Sequence, residues 1–362
     1  MTDLEKARKE INEVDKEMAK LFEKRMDAVK KVAEYKQKVG MAVTDAAREE
    51  EVLAKNARYL ENSPYKAYFV NFIRETMEIS KQFQHRFLEG MRVAYSGVEG
   101  AFAYIATEKI FPDATAVAYP DFKGAYNAVV NGECDCVVLP IENSFNGDVG
   151  QVMDLAFFGS LYINGIYDIS VIQNLLAIPG ATLGDIKEVI SHPQALGQCA
   201  DYIRRNGFKE TVAVNTAVAA KQVAEMGRKD IAAIASDDAA RRYGLNKLES
   251  HINESNVNTT RFAVFSRTEK AHSPKDSHFI LTFTVKNEAG ALGRAVSVIG
   301  KYGFNLKALK SRPTKELIWS YYFYVEGEGN VNSEKGQSMI EALGAYCSDV
   351  KIIGSFEKEI TL

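Results

Sequence analysis

LEKARKEINEVDKEMAKLFEKRMDAVKKVAEYKQKV, residues 4–39, reads as one long helix with a seven-residue apolar repeat. Ile11, Met18, Val32 and Val39 hold one core position, and Val14, Leu21, Ala28 and Tyr35 the other. Arg25 occupies the slot between Met18 and Val32, and Arg8 and Lys36 flank the same seam. A buried cation loses its hydration and needs an anion in exchange. A lone arginine on such a seam also snorkels to solvent and only sets register; three cations on one seam favour anion sites. Arg8 and Arg25 lie about 25 Å apart at about 1.5 Å rise per residue, too far for one small ligand to span from one helix. Arg25 and Lys36, about 16 Å apart on nearly the same face, are close enough for their long side chains to converge. Arg8 joins such a site only from an antiparallel copy. The pattern predicts a dimer with anion sites shared between chains.

Outward from this helix, Gly40 is a stop, and Thr44 and Asp45 offer an N-cap for a second helix through about Asn62. Ser63-Pro64 breaks it, and a third helix spans about Tyr65–Leu88. Asp45, Arg48 and Glu49 open the second helix. Ser80 and Gln84 sit four apart on the third, polar within an apolar stripe of Phe72, Met77, Ile79 and Phe83. Taken singly, each of these groups is an ordinary cap, surface pair or buried polar residue.

At Gly90 the rhythm changes to alternating strands and helices, which argues for an α/β domain with mostly parallel sheet, in two lobes around a cleft. Pro140-Ile-Glu-Asn-Ser144, Ser191-His-Pro-Gln194 and Asn258-Thr-Thr-Arg-Phe262 are polar clusters at strand ends, where such folds bind ligands. They supply hydroxyl, amide, imidazole and guanidinium groups, suited to holding a polar acid and donating a proton without metal or cofactor. Ser96–Gly100 is a tight glycine turn rather than a nucleotide loop. Ser266–Ser277 reads as a polar linker. The remainder, with strands at His278–Val285, Asn305–Ser311, Leu317–Val325 and Val350–Phe356 and helices at Ala291–Tyr302 and Ser333–Tyr346, has the βαββαβ order of a ferredoxin-like α+β module.

With 46% hydrophobic and 26% charged residues, the 362-residue chain should bury ordinary cores in two or three domains. A net charge of −3 gives no pull towards nucleic acid or membrane. No apolar run reaches spanning length and the start is charged rather than signal-like, so a cytoplasmic location is expected. Cys134, Cys136, Cys199 and Cys347 have no metal or redox spacing. The residues alone fit two classes, an enzyme or a non-catalytic sensor with a solute-binding middle. The seam cations and the missing export signal favour the enzyme.

Taken together, these motifs resemble the bifunctional chorismate mutase–prephenate dehydratases over the whole chain. The resemblance implies three domains: an all-helical mutase at 1–89, a two-lobed, periplasmic-binding-protein-like dehydratase at 91–266, and a ferredoxin-like ACT regulatory domain at 277–362. It implies catalytic roles for Arg8 (from the partner chain), Arg25, Lys36, Glu49, Gln84 and Thr260. It implies substrate contacts from Asp45, Arg48, Ser80, Glu142, Asn143, Ser191, His192, Gln198 and Arg261. Chorismate and prephenate are the implied substrates, with no cofactor or metal, in a homodimer or dimer of dimers. L-phenylalanine is the implied effector, at Gly290-Ala291-Leu292 and Ser311-Arg312-Pro313. Two departures stand out: the turn Ser96-Gly-Val-Glu-Gly-Ala-Phe-Ala103 lacks the family's proline, and Lys310 stands where a glutamate is usual. Lys310 is expected to weaken effector binding, and Lys310→Glu to restore it.

Overall fold

In the computed structural model, which describes residues 2–254, 258–314 and 321–362, helix α1 runs Asp3–Val39. It starts on a capping box between Thr2 and Glu5 and ends on left-handed Gly40 at φ 68°. Helix α2 (Ala46–Tyr59) is capped by Asp45, and α3 (Lys66–Glu89) follows. All three match the expected helices. These helices form one compact unit, Met1–Met91. The packing face of α1 corrects the expectation. Ala33 is buried, and Arg25, Met26, Val29 and Lys36 are half-buried on its side of the helix, which packs on α3. The heptad seam is left outside: Ile11 is 57% exposed, Val14 53% and Leu21 64%. A single chain therefore spends only one strip of α1 on its own fold and leaves a second, apolar strip uncovered.

The second unit is Arg92–Leu362. Its first lobe is built from β1 (Arg92–Ser96), α4 (Phe102–Ile110), β2 (Thr115–Tyr119), α5 (Phe122–Val130), β3 (Cys136–Asn143), β4 (Gly147–Asp148), α6 (Gly150–Phe158) and β5 (Tyr162–Ser170). The chain then crosses to a second lobe. There β6 (Asn174–Ala177), β7 (Glu188–Ser191), α7 (Pro193–Gln198), α8 (Ala200–Asn206), β8 (Lys209–Val212), α9 (Thr216–Met226), β9 (Ile231–Ala235), α10 (Asp237–Tyr243) and β10 (Asn246–Glu249) form a five-stranded sheet ordered β10-β6-β9-β7-β8. It returns as β11 (Thr259–Ser266), which slots between β3 and β5. Both sheets are mixed rather than mostly parallel. The trios β2-β1-β3 and β8-β7-β9 are parallel, but β11 runs antiparallel to β3 and β5, and β6 antiparallel to β9 and β10. The reason is the double crossing: a strand re-entering from the other lobe enters its sheet from the opposite end.

The C-terminal segment is β12 (His278–Thr284), α11 (Ala291–Lys301), β13 (Asn305–Pro313), β14 (Tyr321–Glu328), α12 (Glu334–Leu343) and β15 (Ser348–Phe356), the expected βαββαβ order, followed by β16 (Ile360–Thr361). Residues 317–320 of the strand expected at 317–325 lie outside the described residues. The linker expected at 266–277 does not separate independent bodies. One face of this sheet packs on α11 and α12 through Phe279, Leu281, Phe283, Phe323 and Val325. Its other face carries Ile280, Tyr322, Tyr324, Ile353 and Phe356 into the same core as Leu139, Met153 and Ile163 of the first lobe. Phe157 stacks on Tyr322 with ring centroids 4.1 Å apart. Strand β15 also meets β5 at Gly354–Ile163, which joins the first-lobe and C-terminal strands into one eleven-stranded sheet among the described residues.

Candidate active sites

In the helical unit, α3 gathers the polar residues. Arg25 donates to Ser80 Oγ at 2.5 Å and to the Thr76 carbonyl at 3.4 Å. Gln84 Nε2 donates to the Ser80 carbonyl, and its Oε1 is buried without a partner. Burial lowers the Arg25 guanidinium below its ordinary value, as expected of a cation short of an anion. Glu49 is held by Lys81 at 3.2 Å, a residue the sequence reading missed because only the packing of α2 on α3 brings it there. Lys36 donates to the Val43 carbonyl. Two expected members are elsewhere: Asp45 caps α2 by accepting from Arg48 N, and the Arg48 side chain turns out to Glu51 at 2.6 Å. Arg8 is exposed near the start of α1. Beside Arg25 opens an apolar groove of about 540 Å³ lined by Met18, Leu21, Phe22, Phe69 and Phe72.

In the second unit the two lobes enclose a cavity of about 570 Å³. Strand ends meet there as expected, through Asn143, His192, Gln198 and Thr260. Thr260 and Asn143 are direct partners across the β11–β3 ladder. Asn143 Nδ2 donates to Thr260 Oγ1 at 2.9 Å and to Asn258 Oδ1 at 2.9 Å, while its Oδ1 accepts from the Phe145 and Asn146 amides. With its oxygen already accepting, the Thr260 hydroxyl has its proton free to donate. His192 caps α7, its Nδ1 accepting from Gln194 N at 3.3 Å, and burial lowers its pKa below 6.5. Both observations favour the neutral ring with Nε2–H as donor. Gln198 Oε1 accepts from Gln173 Nε2, and Gln173 Oε1 is buried without a partner. Ser191 does not face the cavity; its hydroxyl donates to the Ile234 carbonyl and ties β7 to β9.

Among the described residues lining this cavity there is no arginine or lysine. The first turns of α4 (Phe102, Ala103), α6 (Gly150, Gln151) and α9 (Thr216) line it instead, with the Asn215 cap. Free amides at helix starts favour anions. The sequence reading missed Gln173, Asn215, Thr216 and Gln151. Only Asn215-Thr216 left a signal, an N-cap signature directly after a strand.

Arg261 and Glu142 are corrections. Side chains alternate along a strand, so a Thr260 facing the cleft puts Arg261 on the far face. There Arg261 is 16% exposed and pairs with Glu142 at 2.9 Å, with Glu326 of β14 at 2.8 Å, and with Glu359. Burial alone would raise the Glu142 carboxyl, but Arg261 and Lys310 hold it below the ordinary value. Burial would likewise raise Glu359, which Lys307 and Arg261 hold down. Lys310 and Arg312 are corrections too. On β13 both face the first lobe, Lys310 bonding Asp148 at 2.5 Å and Glu142 at 3.1 Å, and Arg312 gripping Asp154 at 2.8 and 3.0 Å. A Cβ at Gly150 would meet the Arg312 guanidinium, which would have to give way and loosen its grip on Asp154. Lys310→Glu would add a carboxylate beside those of Glu142 and Asp148. Ser311 and Pro313 are exposed, and Gly290, at φ 80°, caps α11 ahead of Ala291 and Leu292.

The sequence profile described as chorismate mutase type II matches residues 7–85, and that of prephenate dehydratase matches residues 93–270. The bifunctional chorismate mutase/prephenate dehydratase of Buchnera aphidicola subsp. Schizaphis graminum is 30% identical over 99% of this chain and 97% of its own. Arogenate dehydratase/prephenate dehydratase 2 of Arabidopsis thaliana is 34% identical over 75% of this chain and 74% of its own. A crystal structure of prephenate dehydratase from Arthrobacter aurescens in complex with L-Phe superposes with a TM-score of 0.69 at 25% identity, covering 74% of this chain and 90% of that one. The chain belongs to the bifunctional chorismate mutase/prephenate dehydratase family. It is an enzyme of phenylalanine biosynthesis, an isomerase in its first unit and a lyase in its second. No helix among the described residues is long and apolar enough to cross a membrane.

Proposed function

We propose that chorismate rearranges beside Arg25, Ser80 and Gln84, and that prephenate loses water and carbon dioxide in the two-lobed cleft at Thr260. The rearrangement needs a compact conformer and charge stabilisation at the breaking ether oxygen, with no covalent step. Arg25 and Arg8 of a second chain clamp the carboxylates with planar forks. Lys36 and Gln84 donate to the ether oxygen and Glu49 accepts from the ring hydroxyl. The uncovered seam of α1 supports a dimer through this helix, or a dimer of dimers. In the cleft, aromatisation supplies the driving force and the hydroxide needs help to leave. The observation that carries this reading is the Asn143-to-Thr260 hydrogen bond, which leaves the threonine proton to the leaving oxygen. The neutral His192 adds a second donor, and the helix starts that line the cavity take the substrate carboxylates. Thr260→Val keeps the shape and deletes the hydroxyl. It should abolish phenylpyruvate formation while prephenate binding stays within about an order of magnitude; normal turnover would refute the assignment.

The regulatory reading divides the chain functionally at 1–89, 91–266 and 277–362. L-Phenylalanine then inhibits by binding near Gly290–Leu292 and the outward Ser311 and Pro313, between C-terminal segments of two chains. Support comes from the exposed edge strand β13 and from the relative that carries L-Phe. Calorimetry with phenylalanine, tyrosine and tryptophan tests it, and absence of heat with phenylalanine removes it. The name of the Arabidopsis relative raises a second substrate for the same cleft, arogenate, in which an ammonium replaces the keto oxygen of prephenate.

A further inference from the structure

The ladder between β11 and β3 shifts register once, between Arg261 and Phe262. Phe262 faces Pro140 and Arg261 faces Glu142, which makes Ile141 the extra residue of a β-bulge. Beyond the bulge two rungs remain, Arg261–Glu142 and Thr260–Asn143. The outer rung carries the cleft hydroxyl and the amide that bonds it. The inner rung is an ion pair on the opposite face. A bulge loosens the backbone pairing and re-aims the side chains beside it. With so short a ladder beyond the bulge, the force that holds Arg261 also sets the direction of its neighbour Thr260.

Two of the carboxylates on Arg261 come from the C-terminal segment: Glu326 from β14, and Glu359 from the stretch between β15 and β16. Glu326 is deeply buried and also accepts from the Tyr324 hydroxyl at 2.9 Å, so it belongs to the core as much as to Arg261. Glu359 lies at the margin. Its side chain is 17% exposed, one oxygen accepts from Arg261 and the other from Lys307 of β13. The chain then runs along β5 as β16, with Thr361 opposite Asp168 and Leu362 N donating to the Asp168 carbonyl at 3.0 Å. Asp168 is also the partner of Arg261 across the β11–β5 ladder. The stretch after β15 is therefore laid beside the rung of Arg261 and delivers one carboxylate to its guanidinium.

We infer that Glu359 is a positioning residue of the dehydratase. Pulling on Arg261 from the far face, it fixes the end of β11 and with it the aim of the Thr260 hydroxyl. This rests on the reading of Thr260 as the donor to the leaving oxygen. Glu359 does not line the cavity, and the helix starts and His192 that do line it are held by other elements. Loss of Glu359 therefore falls on the rate of the chemical step and spares affinity.

The test is steady-state kinetics on the full chain, with chorismate conversion measured in parallel as an internal control. Glu359→Ala should lower kcat for prephenate by about tenfold, less than the roughly hundredfold cost of a misplacement by about 1 Å. KM should stay within about twofold. Glu359→Gln keeps an oxygen for Arg261 and should recover much of the loss. Lys307→Met removes the other partner of Glu359 and should leave kcat near wild type. Chorismate conversion should hold in all three. An unchanged kcat in Glu359→Ala overturns the proposal, as does a loss carried by KM instead. A fall in kcat that only tracks the folded fraction, read by circular dichroism, makes Glu359 a plain tether and overturns it too. If Glu359→Ala does not fold, Glu359→Gln against Lys307→Met carries the comparison, and equal kcat in those two refutes the role. Thr260→Val, run alongside, separates the two readings. Full turnover in that variant means that Thr260 is not the donor, whereas an inactive Thr260→Val with an unmoved kcat in Glu359→Ala counts against this proposal alone.

Discussion

Replacing Arg261 with methionine should cost the second unit much of its stability at neutral pH, and less in acid. The arginine has four carboxylates within ion-pair distance on its far side of β11, those of Glu142, Asp168, Glu326 and Glu359, and Glu326 among them has a side chain only 6% exposed. Methionine fills much of the volume but leaves those charges buried and unmatched. Removing one member of a buried ion pair costs about 3–5 kcal/mol. For a unit of about 270 residues each kcal/mol moves the midpoint by about 2 °C, so the drop is roughly 5–10 °C. The pH dependence follows from the carboxylates. In the wild type Glu142 and Glu359 are held below the ordinary 4.5, so their contribution is present above that value and lost as pH falls through the lower folded values. In the variant the burial that raises them is no longer opposed. They then take up protons more readily folded than unfolded, and acid relieves the damage. Scanning calorimetry at about pH 7 and about pH 5 should show the gap between the two proteins closing. A gap under about 1 kcal/mol at neutral pH, or one that widens on acidification, refutes the reasoning.

Arg25→Ala should remove mutase activity and leave dehydratase activity intact, because a charge-assisted contact to a substrate carboxylate is lost at a cost of roughly 2–5 kcal/mol in one unit only; near wild-type conversion of chorismate would place the site elsewhere. Mixed dimers with Arg8→Ala in one chain and Lys36→Ala in the other should recover about half the mutase sites, one intact and one doubly damaged, and complete inactivity despite subunit exchange rules sharing out. His192 stays neutral below its ordinary 6.5, so a dehydratase pH profile should keep its activity through that value, and a wild-type acid limb centred at or above 6.5 contradicts the donor role.

The strongly periodic elements were legible in the sequence. The helix α1 and its glycine stop, Thr216–Met226 and Ile231–Ala235 follow from apolar spacing and end signals, which act within a few residues. What pairs with what was not. The seam of α1 was visible, but the strip through Met26, Val29 and Ala33 that α3 covers was not, because two apolar strips on one helix carry no mark of which partner each serves. Thr260 and Arg261 were read as neighbours in one site, and the period of two along β11 sends them to opposite faces. That separation was available to sequence reasoning; the carboxylates waiting for Arg261, at positions 142, 168, 326 and 359, were not. Lys310 looked like a defect in an effector motif. Its meaning lies in Asp148, more than 160 positions away, and no local pattern links the two.

The core that the C-terminal sheet shares with the first lobe makes the junctions of this chain unequal. A cut after Met91 passes between two bodies that each keep their own interior. A cut between Ser266 and Ser277 tears one interior in half. It strips the cover from Leu139, Met153 and Ile163 and leaves Asp154 and Glu142 without the cations of β13. Trimming the end is therefore closed as an engineering route, and a transplanted end must bring with it side chains that match α6. On the proposed regulatory reading, insensitivity to phenylalanine is to be sought by point changes at the exposed Ser311 and Pro313 of β13.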